Sequence, residues 1–511
     1  MYGRVNAVTV VGVHGRLVMV EAHIGRGLPA LCLTGLPGPA VHDARERVRP
    51  AVESSGLEWP LRRVVVNLSP VNLRKDGPGL DLPIAMGVLA ASAQVPADRL
   101  APFVLAGELS LRGALMPTPG ILAVAMAAAK AQKRGVIVPE ANGGEAALVE
   151  GLDVVAAPSL AKAVEFLRGS WKPEPVSPAS EDHTGSADVD LAEVRGQEQA
   201  RRALEVAAAG GHNLLLIGSP GAGKTMLAKR LPTILPAMVR EEALEVMRLH
   251  SVAGLLAGSG LVTARPFRSP HHSVSLAGLL GGGSGAIRPG EVSLAHNGVL
   301  FLDELTEFHR DAVEGLRQPL EDGRVVVTRA SGTVEFPARF SLVAAANPCP
   351  CGFEGDPRRA CRCPPNRVEQ YRSRLSGPLI DRIDLRLQVP RLTRKELLGV
   401  GAGEASAAVR ARVEEARARQ RVRYRGTAAR CNGQLSGPAS RREARLDSGG
   451  EALLGRAVDR LLLTGRGVDR ALKVARTIAD LAGSDRVSVA HLGEALSYRV
   501  DPGRQEAAHA V

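Results

Sequence analysis

Eight residues, Gly218-Ser219-Pro220-Gly221-Ala222-Gly223-Lys224-Thr225, constrain this chain more than any others. They fit G-x-x-x-x-G-K-[ST], a loop that needs a strand before it and a helix after it. Asn213-Leu214-Leu215-Leu216-Ile217 supplies the apolar run of a buried parallel strand, and Met226-Leu227-Ala228-Lys229-Arg230-Leu231 reads as the helix. The glycines let the backbone close around a triphosphate with its N–H groups facing the oxygens. The helix N-terminus adds favourable partial charge. In that arrangement Lys224 reaches the β- and γ-phosphates of ATP and Thr225 holds Mg²⁺. The competing explanation is a chance match in a chain with 56 glycines, and the flanking strand and helix argue against it.

Three further stretches extend the site. Val299-Leu300-Phe301-Leu302 reads as a buried strand ending in Asp303-Glu304. Paired acids at a strand end, in a chain with a phosphate loop, divide the labour: Asp303 orients a Mg²⁺-bound water and Glu304 polarises the attacking water. Phe340-Ser341-Leu342-Val343-Ala344-Ala345-Ala346-Asn347 is another buried strand, and it places Asn347 where a γ-phosphate sensor stands. Val194, just before an amphipathic helix expected over 198–209, is the candidate to cover adenine. Arg382 lies between Asp381 and Asp384, a pattern that by itself reads as a surface salt bridge.

At 511 residues the chain exceeds one core, and three domains are expected. Aromatics are only 3% of residues, so the cores must be built from Ala, Val and Leu. The 65 basic and 53 acidic residues leave a net charge of +12, which suits a polyanionic partner without establishing one. No run of 18 apolar residues occurs, the N-terminus lacks signal-peptide architecture, and the cysteines do not form a secreted framework. These observations predict a soluble cytoplasmic protein with no membrane partner. The fold class expected is α/β. Residues 1–168 alternate short apolar runs (8–13, 17–22, 64–68, 104–106, 135–138) with helical patterns (40–54, 83–92, 122–134). Residues 169–190 read as a Pro/Ser/acid-rich linker that lets the front unit move. Residues 191–395 hold a parallel-sheet nucleotide core, and 396–511 form a helical lid with helices over 453–463, 469–481 and 489–496. An arginine-rich stretch, 403–425, reads as a solvated face or a DNA contact. Residues 502–511 read as a frayed end.

Cys349, Cys351, Cys361 and Cys363 give C-x-C-x₉-C-x-C. Four close thiols in a reducing compartment favour one tetrahedral, structural Zn²⁺, with unmetallated loop thiols as the alternative. His271-His272 lacks a nearby third ligand, so a hydrogen-bonded or DNA-facing loop is expected there. The glycine-rich stretch 278–285 reads as flexible.

Two resemblances follow. Asn72-Leu73-Arg74-Lys75-Asp76-Gly77-Pro78-Gly79-Leu80-Asp81-Leu82-Pro83 and Ala106-Gly107-Glu108-Leu109-Ser110-Leu111-Arg112-Gly113, continuing through Pro119-Gly120-Ile121 to Val138-Pro139-Glu140, resemble the proteolytic domain of Lon proteases. That family uses a Ser nucleophile and a Lys base. Here the Ser falls at Gly79 and the Lys at Leu122, so peptidase activity is rejected and a scaffold remains. Arg74 and Lys75 are candidates for phosphate contact or for a solvated loop.

The second resemblance rests on the phosphate loop, on Arg288-Pro289-Gly290-Glu291-Val292-Ser293-Leu294-Ala295-His296-Asn297-Gly298 running into Asp303-Glu304, on Asn347-Pro348-Cys349-Pro350-Cys351-Gly352, and on residues 374–384. These are similar to the magnesium-chelatase-like branch of the AAA+ ATPases, and within it to the YifB/ComM family, over essentially the whole chain. The resemblance implies a homo-oligomeric, hexameric ring. It makes Arg382 an arginine finger reaching a neighbour's ATP, and Arg466, after Gly465 where the family usually has Ala, a second sensor on the lid. It further implies a DNA motor, of helicase type, that drives branch migration of single-stranded DNA during transformation, with branched DNA and recombination proteins as partners. A chelatase-type ATPase that remodels a partner protein is the alternative.

Overall fold

The computed structural model describes residues 1–176, 179–182, 189–256, 260–283, 287–329, 332–375, 377–394, 396 and 403–499. The fold is α/β, as expected. In the front unit the short apolar runs pair into a seven-stranded mixed sheet. Its order is Ala30–Thr34, Arg63–Ser69, His14–Gly25, Tyr2–Val11, Phe103–Leu105, Gly135–Pro139 and Asp153–Ala157. The first and last of these edge strands were not expected, because Ala30–Thr34 is only half-buried and lacks a clear apolar face. Helix Asp81–Ala91 is buried on nearly every side and fills one face of the sheet.

The second sheet is parallel throughout. Its order is Phe267–Arg268, Val299–Leu302, Ser341–Ala346, Leu214–Ile217 and Leu385–Gln388. Side chains alternate across a strand, so a sheet covered on both faces feeds two cores. Leu214, Leu216, Phe301 and Val343 enter one core with helices Glu198–Gly210 and Lys224–Ile234 and the lid. Leu215, Leu300, Leu302 and Leu342 enter the other, with Leu305, Val313 and Phe336.

Phe336 belongs to a hairpin, Arg324–Arg329 paired with Gly332–Pro337, that the sequence reading did not anticipate. Its buried residues Val325, Val327 and Phe336 share a core with Val13 of the front unit. Helix Ile121–Lys130 of the front unit also packs on helix Arg240–Ala253. There Leu122 and Leu148 join Met238, Ala243, Val246 and Met247. Gly120 N–H donates to Ser251 O at 3.2 Å, and Arg240 donates to Leu148 O at 2.9 Å. The expected freedom of the front unit is therefore corrected: it is seated on the nucleotide core. Within the stretch read as a linker, Ala179–Asp182 pairs in parallel with Gly260–Val262. The rest of that stretch's centre, 177–178 and 183–188, lies outside the described residues, as do 284–285 of the glycine-rich stretch and 502–511.

The lid carries helices Ser406–Arg423, Ser448–Leu461, Gly465–Leu481 and Val489–Ser497. Several side chains of the arginine-rich helix are engaged within the chain, so it is not simply a solvated face. Arg410 donates to Thr233 O at 2.8 Å and Arg417 to Ala208 O at 2.9 Å, both at the C-terminal turns of core helices. Those last carbonyls have no intrahelical donor and need one from elsewhere. Arg412 pairs with the buried Glu205 at 2.6 Å and Arg423 with the buried Asp480. Arg410, Arg412 and Arg417 join lid to core, and Arg423 ties two lid helices together. Among the described residues, no helix is long and apolar enough to cross a membrane.

Candidate nucleotide site

Strand Leu214–Ile217 delivers the chain into the loop, and helix Lys224–Ile234 leads it away. Gly223 turns the corner at φ 91°, a left-handed conformation that an L side chain resists. Lys224 is folded back into the loop, buried. Its Nζ donates to Gly218 O at 2.6 Å, Ser219 O at 3.1 Å and Asn347 Oδ1 at 3.1 Å. Burial pushes its pKa down, against the pull of Asp303 and Glu304. A desolvated ammonium held by neutral carbonyls favours any anion that displaces them.

Thr225 Oγ1 donates to Asp303 Oδ2 at 2.6 Å. The two are hard oxygen donors side by side at the loop, and Mg²⁺ characteristically takes one or two such ligands and fills its octahedron with water and phosphate oxygens. The donor set fits that ion. Glu304 follows at φ 52°, with its N–H on Asp303 Oδ1 at 3.0 Å and its carboxylate exposed. A non-glycine residue held in this region is strained, as residues at working sites often are. His272 Nδ1 stands 3.9 Å from Glu304 Oε2, its ring packed against His271 and Phe308. The loop is hydrogen-bonded, as one of the two expectations had it: His271 Nδ1 contacts Ser273 Oγ at 2.8 Å and accepts the Ser273 N–H at 3.3 Å. His272 thus stands beside the carboxylate expected to polarise water.

Two more contacts hold the loop. Gln197, itself at φ 50°, donates from Nε2 to Ala222 O at 2.6 Å. Val194 is fully buried in the same core cluster as Ala222. From the other side, the segment after Asn347 folds over Pro220: a Cβ on Gly352 would lie 2.5 Å from Pro220 Cδ. Arg391 donates to Pro220 O at 3.2 Å and pairs with Asp356 at 3.4 Å. That segment carries the four cysteines. Their sulfurs all lie within 4.8 Å of one another, with Cys349–Cys351 at 3.4 Å and Cys349–Cys361 and Cys351–Cys361 at 3.6 Å. Four thiolates around one Zn²⁺ stand about 3.8 Å apart, so the set fits that ion.

Arg382 and Arg466 are not brought to the loop. Asn213, which precedes strand Leu214–Ile217, donates from Nδ2 to Arg382 O at 2.9 Å. The loop begins at the other end of that strand, roughly 13 Å away at about 3.3 Å per residue. Arg382 pairs with Glu321, and Arg466 lies 3.5 Å from the same carboxylate oxygen.

Among the described residues, the front unit shows no comparable cluster of polar groups at the positions read from the Lon resemblance. Gly79 faces Thr118, with an ideal Cβ 3.3 Å from its Cγ2. Leu122 is fully buried in the seam with the nucleotide core. Lys75 is fully buried too, its Nζ donating to Gly35 O at 2.8 Å and to Pro70 O, so neither expectation for it holds. Arg74 pairs with Asp76 at 3.0 Å.

The family model "Magnesium chelatase, subunit ChlI" matches residues 190–397, "Subunit ChlI of Mg-chelatase" matches 20–142, and "Magnesium chelatase, subunit ChlI C-terminal" matches 403–499. The competence protein ComM of Haemophilus influenzae is 43% identical over 494 residues, 96% of this chain and 95% of its own. The uncharacterised protein YifB of Escherichia coli is 44% identical over 494 residues, again 96% and 95%. Lon protease 3 of Sorangium cellulosum is 32% identical over 146 residues, 27% of this chain and 17% of its own.

Proposed function

The chain belongs to the YifB/ComM family of magnesium-chelatase-like AAA+ ATPases, and from that premise we propose that it is a ring motor that spends ATP on DNA, a branch-migration helicase that helps single-stranded DNA recombine. One observation carries the ring: Arg382 and the phosphate loop stand at opposite ends of one strand. An arginine so placed serves the site of another copy, and the family resemblance makes the ring a hexamer. Hydrolysis then waits on assembly.

Within one copy, Lys224 and the loop N–H groups of 218–225 hold the triphosphate, and Asn347 senses the γ-phosphate through its contact with Lys224. Glu304 takes the attacking water's proton or orients that water, with His272 beside it. Val194 lines the adenine side. Thr225 and Asp303 would hold Mg²⁺, which supplies charge neutralisation on the phosphates. The four cysteines would hold one structural Zn²⁺ that keeps Gly352 against Pro220. Arg382 and Arg466 of a neighbour meet the charge that develops on the γ-phosphoryl group.

Support for DNA comes from the net charge of +12, from the exposed Arg324 and Arg329 on the hairpin, and from the relative described as a competence protein. The test is the ATPase rate with and without single-stranded and branched DNA, at two salt concentrations. Stimulation that weakens with salt is the expected result. A rate indifferent to DNA returns the chelatase-type reading, in which the motor remodels a partner protein.

A further inference from the structure

Glu321 is the penultimate residue of the short helix Arg317–Asp322, and the hairpin strand begins two residues after the helix tip, past Gly323 at φ 66°. Its single carboxylate faces two guanidinium groups. Arg382 is the buried partner, 8% exposed, with Nη1 on Pro378 O at 2.6 Å, Nη2 on Glu321 and Nε without an acceptor. Arg466 is the open partner, 61% exposed. Asp384, two residues on from Arg382, offers no alternative, because it is taken by Arg470 at 2.6 Å and by Asn213 N–H at 3.0 Å.

We propose that Glu321 is a positioning residue for this arginine pair: it parks both in the unassembled subunit and yields them to the triphosphate of the neighbouring copy. The inference rests on the ring reading above. Three features make the exchange favourable. The parked Arg382 leaves one buried donor unmet, and a triphosphate presents enough oxygens to meet all of them. Glu321 is 43% exposed, so the released carboxylate returns to water at small cost. Arg466 is held at 3.5 Å by an exposed pair, the kind that contributes least and lets go first. Because Glu321 sits at the root of the hairpin, its release also carries the neighbour's nucleotide state to that hairpin.

The experiment uses the full chain and the substitution Glu321→Gln. An amide cannot hold two cations, and it leaves the buried Arg382 without a counter-charge, which disfavours the parked state. Sedimentation velocity with ATP should find rings at a subunit concentration about fivefold lower or more, with KM for ATP falling in step. Glu321→Asp, which keeps the charge, should behave like the unmodified chain. In an Arg466→Ala background the Glu321→Gln effect should shrink, since part of what Glu321 holds is already gone. An unchanged or raised assembly midpoint in folded Glu321→Gln overturns the proposal, as does an equal effect with and without Arg466. If the unmodified chain never assembles with ATP, the ring reading fails and takes this proposal with it. If it assembles and Glu321→Gln does not differ, only the parking role fails.

Discussion

Two sheets in this chain differ in what stands at their strand ends. At the carboxyl ends of the nucleotide-core strands stand Lys224, Asp303 and Asn347, polar groups that contact one another or Thr225 at 2.6–3.1 Å. In the front unit the positions where the resemblance to Lon proteases would put Ser and Lys hold Gly79 and Leu122, and Leu122 is buried in the seam with helix Arg240–Ala253. A cavity of about 380 Å³ remains beside Gly79 and Thr118, but no nucleophile or base lines it in those positions. The sheet survives because apolar packing holds it. Chemistry depends on a few polar groups kept dry and aimed, and they can be lost without disturbing the strands.

The sharpest test of this contrast is Lys224→Ala. It removes the one buried cation of the loop, and nucleotide binding measured by titration should vanish, while the fold should persist because the ammonium is itself desolvated. Glu304→Gln should separate the steps: ATP binds, hydrolysis stops. Equal nucleotide affinity in Lys224→Ala and the unmodified chain would remove the loop from its role.

Next in size is Arg382→Ala. Binding should be near normal, since the loop belongs to the same subunit, and turnover should fall by roughly 10³-fold or more. Mixing it with Lys224→Ala subunits pairs an intact finger with an intact loop at a shared interface, so part of the rate should return. Absence of recovery in rings that demonstrably exchange subunits would leave Arg382 as a salt bridge to Glu321.

A smaller effect is expected from the cysteines. Metal analysis should find about one zinc per chain. Cys361→Ser with Cys363→Ser, or chelation, should weaken ATP binding by about tenfold without abolishing it, because Gly352 and Arg391 would no longer press on Pro220 as firmly. An unaltered ATP affinity in metal-free protein would show that the knot is separate from the loop.

What the sequence revealed and what it hid divide along the same physical line. The loop, Asp303-Glu304 and Asn347 are legible because each sits on a local pattern of apolar strand and polar end. Gln197, His272, Gly352 and Glu321 carry no local signal, since their roles come from contacts with segments distant in the chain. Arg410 and Arg417 of Ser406–Arg423 are opaque for a related reason: their acceptors are the backbone carbonyls Thr233 O and Ala208 O, which no residue pattern displays. Lys75 was equally opaque, because its acceptors Gly35 O and Pro70 O are carbonyls too.

The gentlest test addresses the silent sheet. Gly79→Ser with Leu122→Lys rewrites the two missing side chains. Gly79 has ordinary backbone geometry, and a Cβ there needs Thr118 Cγ2, 3.3 Å away, to give only slightly. Leu122→Lys is different, because it sends an ammonium among Leu148, Met238, Val246 and Met247. Glu145 accepts the Leu122 N–H at 2.8 Å and also the Ser251 hydroxyl, so its carboxylate is already engaged. The double variant should therefore cleave no unstructured protein substrate, and turnover of casein by it would break the comparison. Leu122→Ala isolates the packing role. Truncating a buried Leu costs about 2–5 kcal/mol, which should lower the melting temperature of the front unit by roughly 4–20 °C. Limited proteolysis should then cut sooner between the front unit and the nucleotide core, while ATP binding at Lys224 stays intact. Loss of ATP binding in that variant would mean that the seam holds the loop in shape, and that the two sheets are not as separate in function as their side chains make them.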